Sequence, residues 1–325
     1  MCKEMFESRE IGGVLIMQQR PYPSAFVKVR VGVGLGAWPF AERRADALWR
    51  FVDRAEALGI DSLWLSDRLV GAGLTLEPLT VLAAVAGRTK RMLFGTSVLV
   101  LPLRNPVLLA KELATLDFIS GGRCLLAVGV GQEDDRSFDA VGVPLAERGR
   151  RADEAIVLMR KLWTEERVTF KGKFYQVTDV ALQPKPARKP GPPIWIGGRS
   201  QAALRRVGRL GDGWLTAQVT PEEYGPAVES IRDAAREAGR QVPDDHYGVI
   251  VNYCVAPTAK EAERLAAPYV ARRRADVPLR SVAGLGPVAD IEALLRRYVA
   301  AGASKFVLRP ICPPHMVMEQ LDILG

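Results

Sequence analysis

Two glycine turns and two short polar stretches hold the residues best suited to chemistry in this chain. In IWIGGRSQAALRR an apolar run ends in Gly197 and Gly198, and Arg199 and Ser200 lead into an amphipathic pattern. A strand that ends in glycines and passes straight into a helix exposes free backbone N–H groups where a phosphate can rest. Glycine also lets the phosphate approach the backbone closely. A tight strand-to-helix turn capped by Ser200 has the same pattern, so both readings stand at this point. In VGVGQED, Gly129, Gly131 and Gln132 follow another apolar run, and a plain loop needing positive φ accounts for that turn too. The stretch GTSVLVLPLRNP places Thr96 and Ser97 inside a strand-like run, with Val98 next and Arg104, Asn105 and Pro106 at its close. LWLSDRLV ends in Asp67 and Arg68, where the carboxylate suits a helix cap or a partner for Arg68. Arginine stays protonated, so Arg68 can hold an anion or steady an enolate-like oxygen but cannot act as an ordinary base.

Other chemistries are poorly supplied. The histidines are His246 and His315, and Cys2, Cys124, Cys254 and Cys312 form no CxxC pair, which argues against a zinc site and against disulfides. Cys124 and Cys254 read as small buried hydrophobes. His246 precedes a strand and so belongs to the structural end of the fold. His315 follows the last strand, from which it could reach a catalytic face or simply start a surface helix. The net charge of +8 comes from dispersed arginines with no aromatic-interleaved basic run. That pattern argues against a nucleic-acid groove and suits an anionic small ligand. No apolar run approaches the roughly 20 residues that span a bilayer, and IGGVLIM lacks the flanks of a secretory signal. The expectation is a cytoplasmic protein with a small-molecule substrate and neither nucleic-acid nor membrane partners.

These residues need elements to position them. Eight strand-like segments recur at 29–36, 62–66, 92–100, 123–131, 193–198, 213–217, 247–256 and 304–310. Amphipathic helical patterns alternate with them, such as Ala45, Leu48, Val52, Ala55 and Leu58 before Gly59. Near-continuous apolar strands alternating with helices indicate a parallel sheet covered by helices, and the count favours an α/β fold of the (β/α)8 TIM-barrel kind. In such a barrel the active site lies at the C-terminal strand ends, which gathers the residues above on one face. Residues 1–27 read as an N-terminal extension and 28–325 as one barrel domain. Insertions are expected at about 164–192, a hairpin with a proline-rich return, and at about 271–287, a basic lid-like segment. Trp38 and Trp214 read as rim packing or as ring-stacking residues.

The run GTSVLVLPLRNPVLLAKELATLDFISGGR, followed by AVGVG, the AERGRRADEAIVLMRKLW helix, FKGKFYQV, LQPKPA, PPIWIGGRSQAALRR and LGDGW, resembles the bacterial luciferase-like monooxygenase family. Within it the pattern is most similar to the branch of deazaflavin (coenzyme F420)-dependent oxidoreductases. The resemblance spans roughly residues 29–325 and implies a barrel with insertions, in agreement with the strand count. It implies that Ser97 and Val98 form a bulge, often with a cis peptide, that props the central cofactor ring. Asp67 would lie at the ring's polar edge, with Thr96 nearby and Gly129, Gly131 and Gln132 beside the ring and its side chain. Gly197, Gly198, Arg199 and Ser200 would surround the cofactor phosphate. Many members carry an Asp-His pair at the end of the second strand, with the histidine acting on substrate; here Arg68 stands in that place. Arg68 and His315 are therefore the candidate catalytic residues, with Tyr253 or a water as other proton donors.

The resemblance implies an oxidoreductase that transfers hydride between coenzyme F420 and a small organic substrate, as a homodimer supplied by a separate flavin or F420 reductase. Alternatives are an FMN-dependent two-component monooxygenase, a non-catalytic flavin-binding relative, and an unrelated phosphate-binding barrel. The last would need a lysine or paired carboxylates that the strand ends scarcely offer.

Overall fold

The computed structural model describes residues 8–11, 14–17, 27–133, 135–270, 274 and 276–325. In chain order the strands are β1 (Ser8–Ile11), β2 (Val14–Met17), β3 (Val27–Leu35), β4 (Ser62–Leu65), β5 (Leu93–Thr96), β6 (Leu99–Val100) and β7 (Cys124–Gly129). Then come β8 (Val168–Lys171), β9 (Gln176–Val180), β10 (Ile194–Ile196), β11 (Gly213–Ala217), β12 (Tyr247–Val255), β13 (Ala283–Gly286) and β14 (Lys305–Pro310). The helices are α1 (Ala45–Ala57), α2 (Pro78–Arg88), α3 (Pro106–Ser120), α4 (Ser137–Ala140), α5 (Arg148–Thr164), α6 (Gln201–Leu210), α7 (Pro221–Glu237), α8 (Ala259–Ala266), α9 (Val288–Ala300) and α10 (Val317–Asp322).

Strands β3, β4, β5, β7, β10, β11, β12 and β14 pair in parallel, and β14 returns to β3, so the sheet closes into an eight-stranded barrel. Each barrel strand falls within a residue or two of the apolar run that predicted it, except the third. There the run 92–100 breaks into β5 and β6. Phe94 faces Cys124 while Leu99 faces Val128, so five residue steps run against four (99 − 94 = 5; 128 − 124 = 4). That one extra residue is a bulge, and the peptide between Ser97 and Val98 is cis.

The helices bury the faces their spacing predicts. In α1, Leu48, Val52 and Ala55 point inward together with Ala47 and Phe51, Leu58 is half-buried just past the helix end, and Ala45 at the helix start is exposed instead. In α5, Ala152, Ile156, Met159 and Trp163 do so, and the Trp163 indole donates to Ala110 O at 3.0 Å, fixing α5 on α3. Helix α3 begins with a capped first turn: Asn105 Oδ1 accepts from the N–H groups of Val107 and Leu108, and Pro106 occupies the first turn, where its missing donor costs nothing.

The segment after α5 forms the hairpin β8–β9, followed by a proline-rich return in which the Gln183–Pro184 and Lys189–Pro190 peptides are cis. Two stretches differ from expectation. Within 271–287, Ala283–Gly286 is the buried strand β13, paired in parallel with the end of β12, rather than part of a lid. Its four residues AGLG are too few and too small to show a readable alternation. Within 1–27, β1 and β2 pair as a hairpin whose second strand continues onto Val27–Val29 of β3. The rest of that extension, with Cys2, and residues 271–273 and 275 of the expected insertion lie outside the described residues. Among the described residues no helix is long and apolar enough to cross a membrane.

Candidate functional site

The barrel interior is built in layers. Trp64, Ala127, Trp195, Leu215, Ile250 and Val307 form one buried cluster. Two residues further along each chain the pleat presents the same inward face at the C-terminal end. Those positions are Ser66, Gly129, Gly197, Ala217, Asn252 and Arg309. A bulky layer is thus overlaid by a small and polar one. Val98, carried inward by the bulge, fills the centre. A Cβ placed on Gly129 would lie 2.7 Å from Val98 Cγ2, and one on Gly197 would lie 2.9 Å from Val98 Cγ1. Only glycine fits on either side of Val98, and the result is an apolar floor at the barrel mouth, against which a flat ring system can rest.

Polar groups stand at the edge of this floor. The Arg309 guanidinium extends from β14, and its Nη2 donates to Ser66 Oγ at 2.9 Å and to Ser97 Oγ at 3.3 Å. Ser66 Oγ in turn donates to Ser97 O at 3.4 Å. Arg309 has no carboxylate partner among the described residues, and its Nε is buried without a hydrogen bond. Burial alone pushes its pKa down to about 10, so it remains a cation near neutrality.

Asp67 and Arg104 are engaged with each other. Asp67 Oδ1 accepts from Arg104 Nη2 at 2.9 Å, and Oδ2 accepts from the Val100 N–H at 3.0 Å. Arg104 Nη1 also donates to Glu77 Oε1 at 2.9 Å. Burial pushes the Asp67 carboxyl above its ordinary range, with Arg104 and the Val100 N–H acting against that shift. Arg104 is itself raised: Asp67 and Glu77 together outweigh the larger single effect of its burial. The partner of Asp67 is therefore Arg104 rather than Arg68, and Arg104 is neutralised instead of facing an anionic ligand. Thr96 is buried, and its hydroxyl donates to Ala127 O at 2.7 Å, bridging β5 to β7.

The second glycine turn continues from the floor. Gly198 has φ +106°, a conformation L side chains rarely adopt, and the Trp214 indole donates to its carbonyl at 2.8 Å. Ser200 caps α6, its Oγ accepting from the Ala203 N–H at 3.2 Å. Arg199 is exposed beside it. Across the gap Gln218 has φ +58°, with its side-chain Oε1 buried and without a partner. Arg274 closes this side by donating to Gln218 O at 3.1 Å and pairing with Glu223 and Asp276. Trp214 is wholly buried against Tyr224 and Trp38 donates to Glu42 O, so both tryptophans pack or brace. Gly131 has φ +75° and sits against Phe138, while Gln132 is exposed.

The remaining candidates are not gathered at the floor by any contact. Arg68 is exposed and has no hydrogen bond or ion pair among the described residues. His315 is exposed on the short turn Pro314–Met316 and is likewise without a partner among them. Tyr253 is buried, its hydroxyl donates to Gln320 O at 2.9 Å, and burial drives its pKa far up, which removes it as a proton donor. Burial raises the Cys254 and Cys312 thiols to about 11 and about 12, and Cys124 higher still, so all three are inert. No metal-binding cluster occurs among the described residues.

A cavity of about 630 Å³ opens at the opposite, N-terminal end of the barrel, between Trp64, Trp163, Trp195 and His246. The cations on its wall are largely spent: Arg30 pairs with Asp245, Arg160 with Asp212, and Lys305 with Asp61. His246 Nδ1 meets Asp212 O at 2.6 Å. That end reads as structure, as its position before the seventh barrel strand predicts. Sequence reading placed Arg309 among the strand-end residues of the catalytic face but gave it no role; the phase of alternation set by Val307, which points it inward, is the signal that could have done so.

The family model described as luciferase-like monooxygenase matches residues 25–306. An F420-dependent glucose-6-phosphate dehydrogenase of Microbacterium testaceum is 36% identical over 225 residues, an alignment covering 66% of this chain and 66% of that protein. The solved structure of an F420-dependent secondary alcohol dehydrogenase in complex with an F420-acetone adduct superposes with a TM-score of 0.76 at 22% identity, covering 91% of this chain and 96% of that one. The monooxygenase RslO1 from Streptomyces bottropensis superposes with a TM-score of 0.77 at 24% identity, over 90% of this chain and 96% of that one.

Proposed function

The chain belongs to the luciferase-like monooxygenase family, and from that premise we propose that it is an oxidoreductase using coenzyme F420 for hydride transfer to or from a small organic substrate. The observation that carries the proposal is the floor at the barrel mouth, where Gly129 and Gly197 let Val98 seat between them, because any Cβ there would strike its methyl groups. Val98 would support the central ring from one face, and the serine-lined edge would leave the other face to substrate. Gly197, Gly198 and the first N–H groups of α6, with exposed Arg199, would hold the phosphate. Buried Gln218 Oε1, lacking a partner, is a further group for a ligand hydroxyl to satisfy.

When bound, the deazaflavin supplies or accepts the hydride. The chain's own residues fix the ring plane, exclude water from beneath it and place a cation at its edge. The choice of deazaflavin over FMN rests on the F420-dependent dehydrogenases among the relatives. The dispersed positive charge also suits an acidic cofactor tail.

Titration of the purified protein with F420 and with FMN, followed by tryptophan fluorescence, tests this reading. Saturable binding of F420 is expected, with FMN weaker by tenfold or more. Binding of FMN alone would transfer the chain to the two-component monooxygenase reading, and binding of neither would refute the cofactor site. A homodimer, a separate reductase and a cytoplasmic setting belong to the same proposal. Light scattering of the eluted protein checks the first.

A further inference from the structure

We infer that Arg309, with the hydroxyls of Ser66 and Ser97, forms an oxyanion-binding subsite at the barrel mouth that receives a carboxylate oxygen of a small anionic substrate. The inference deepens the hydride-transfer reading and rests on it for the identity of the neighbouring ring.

Three observations converge on it. Arg309 is the inward residue of β14 one layer above Val307, so its side chain lies within the mouth and not among the covering helices. Strand β3 and the residue after it flank the side chain at ordinary contact distance: a Cβ on Gly34 would lie 3.6 Å from Arg309 Nε, and one on Gly36 would lie 3.7 Å from Arg309 Nη1. The guanidinium has no carboxylate to neutralise it among the described residues, and Nε and Nη1 have no hydrogen-bond partner there. Its nearest companions are the two serine hydroxyls on Nη2, which orient the group without cancelling its charge.

Arg309 is half-buried, with its Nε wholly so, and a cation partly removed from water without a counter-charge is costly. The unpaired charge at the mouth is complementary to an anion. Arg104 illustrates the ordinary case, with Asp67 and Glu77 both on it. Because Ser97 bonds to Arg309 and is joined directly to Val98, the anion would be held at the edge of the floor. Near neutrality Arg309 positions and neutralises the substrate there without giving up a proton. Exposed Arg68, which stands in the place of the family's histidine, has no comparable surroundings.

The test uses the purified protein, with and without saturating F420. Acetate, propionate and benzoate are titrated against the corresponding amides, following tryptophan fluorescence and thermal shift. Carboxylates are expected to bind at least tenfold more tightly than their amides in the native protein. In Arg309→Met that preference is lost while circular dichroism shows the barrel still folded. Arg309→Lys retains part of the preference, and Ser66→Ala weakens carboxylate binding several-fold while giving a second readout should Arg309→Met fold poorly. Equal affinity for carboxylates and amides, or an undiminished preference in Arg309→Met, overturns the subsite. If the preference depends on Arg309 but F420 does not bind, the subsite stands and the cofactor reading fails.

Discussion

At Arg309 a single charge organises the polar edge of the site, and its protonation gives a directional prediction. Burial lowers the folded-state pKa to about 10, below the ordinary arginine value. Between those values the unfolded chain binds the proton and the folded chain does not, so fold stability rises with pH across that window. Anion affinity moves the other way: carboxylate binding should be level from neutrality upward and fall as pH passes through about 10. A titration of benzoate affinity against pH checks this; a fall beginning near pH 7 would point to another group. Little of this was legible in the sequence. Ser97 and Val98 could be placed by resemblance, because a hydroxyl pair interrupting an apolar strand is visible in one dimension. The pairing of Asp67 with Arg104 spans 37 residues and depends on where β4 and the start of α3 meet. Arg309 was visible as a strand-end residue, but its lack of a counter-charge is a property of every neighbour at once.

The elements carry the site by their ends. Apolar strand runs and helix spacing located the barrel strands closely, because burial on both faces leaves an unbroken signal. The bulge between β5 and β6 and the strand β13 were harder: the first changes register by one residue, and the second is four small residues in a glycine- and proline-rich setting. Helix α6 does two jobs, covering the barrel and presenting its first turn at the mouth. Ser200→Ala removes the cap on the Ala203 N–H and should cost about 1 kcal/mol of stability. If the cofactor phosphate rests on that same turn, F420 affinity should fall by severalfold, whereas loss of a purely structural cap would lower the melting temperature and leave affinity unchanged. Thermal melts and cofactor titration on the same variant separate the two.

The whole molecule has two unlike ends. At the N-terminal end, Lys305 and Asp61 form a buried ion pair, and desolvation lowers the Lys305 pKa despite that partner. Lys305→Met strands the Asp61 carboxylate and should destabilise the protein by about 3–5 kcal/mol in denaturant unfolding. The same change should leave F420 affinity within twofold, because the pair lies across the bulky tryptophan layer from the mouth. A large loss of cofactor affinity would instead locate the ligand at the N-terminal cavity. The central claim, that a flat cofactor rests on the Val98 floor, is tested most directly by F420 titration of Gly197→Val beside the native protein. Gly73→Val serves as control, since a Cβ there meets nothing within 4 Å. Crowding of the floor is expected to cost about 1–3 kcal/mol, so Gly197→Val should bind F420 at least about tenfold more weakly while its circular dichroism is unchanged and Gly73→Val binds normally. Undiminished affinity in folded Gly197→Val would contradict the account.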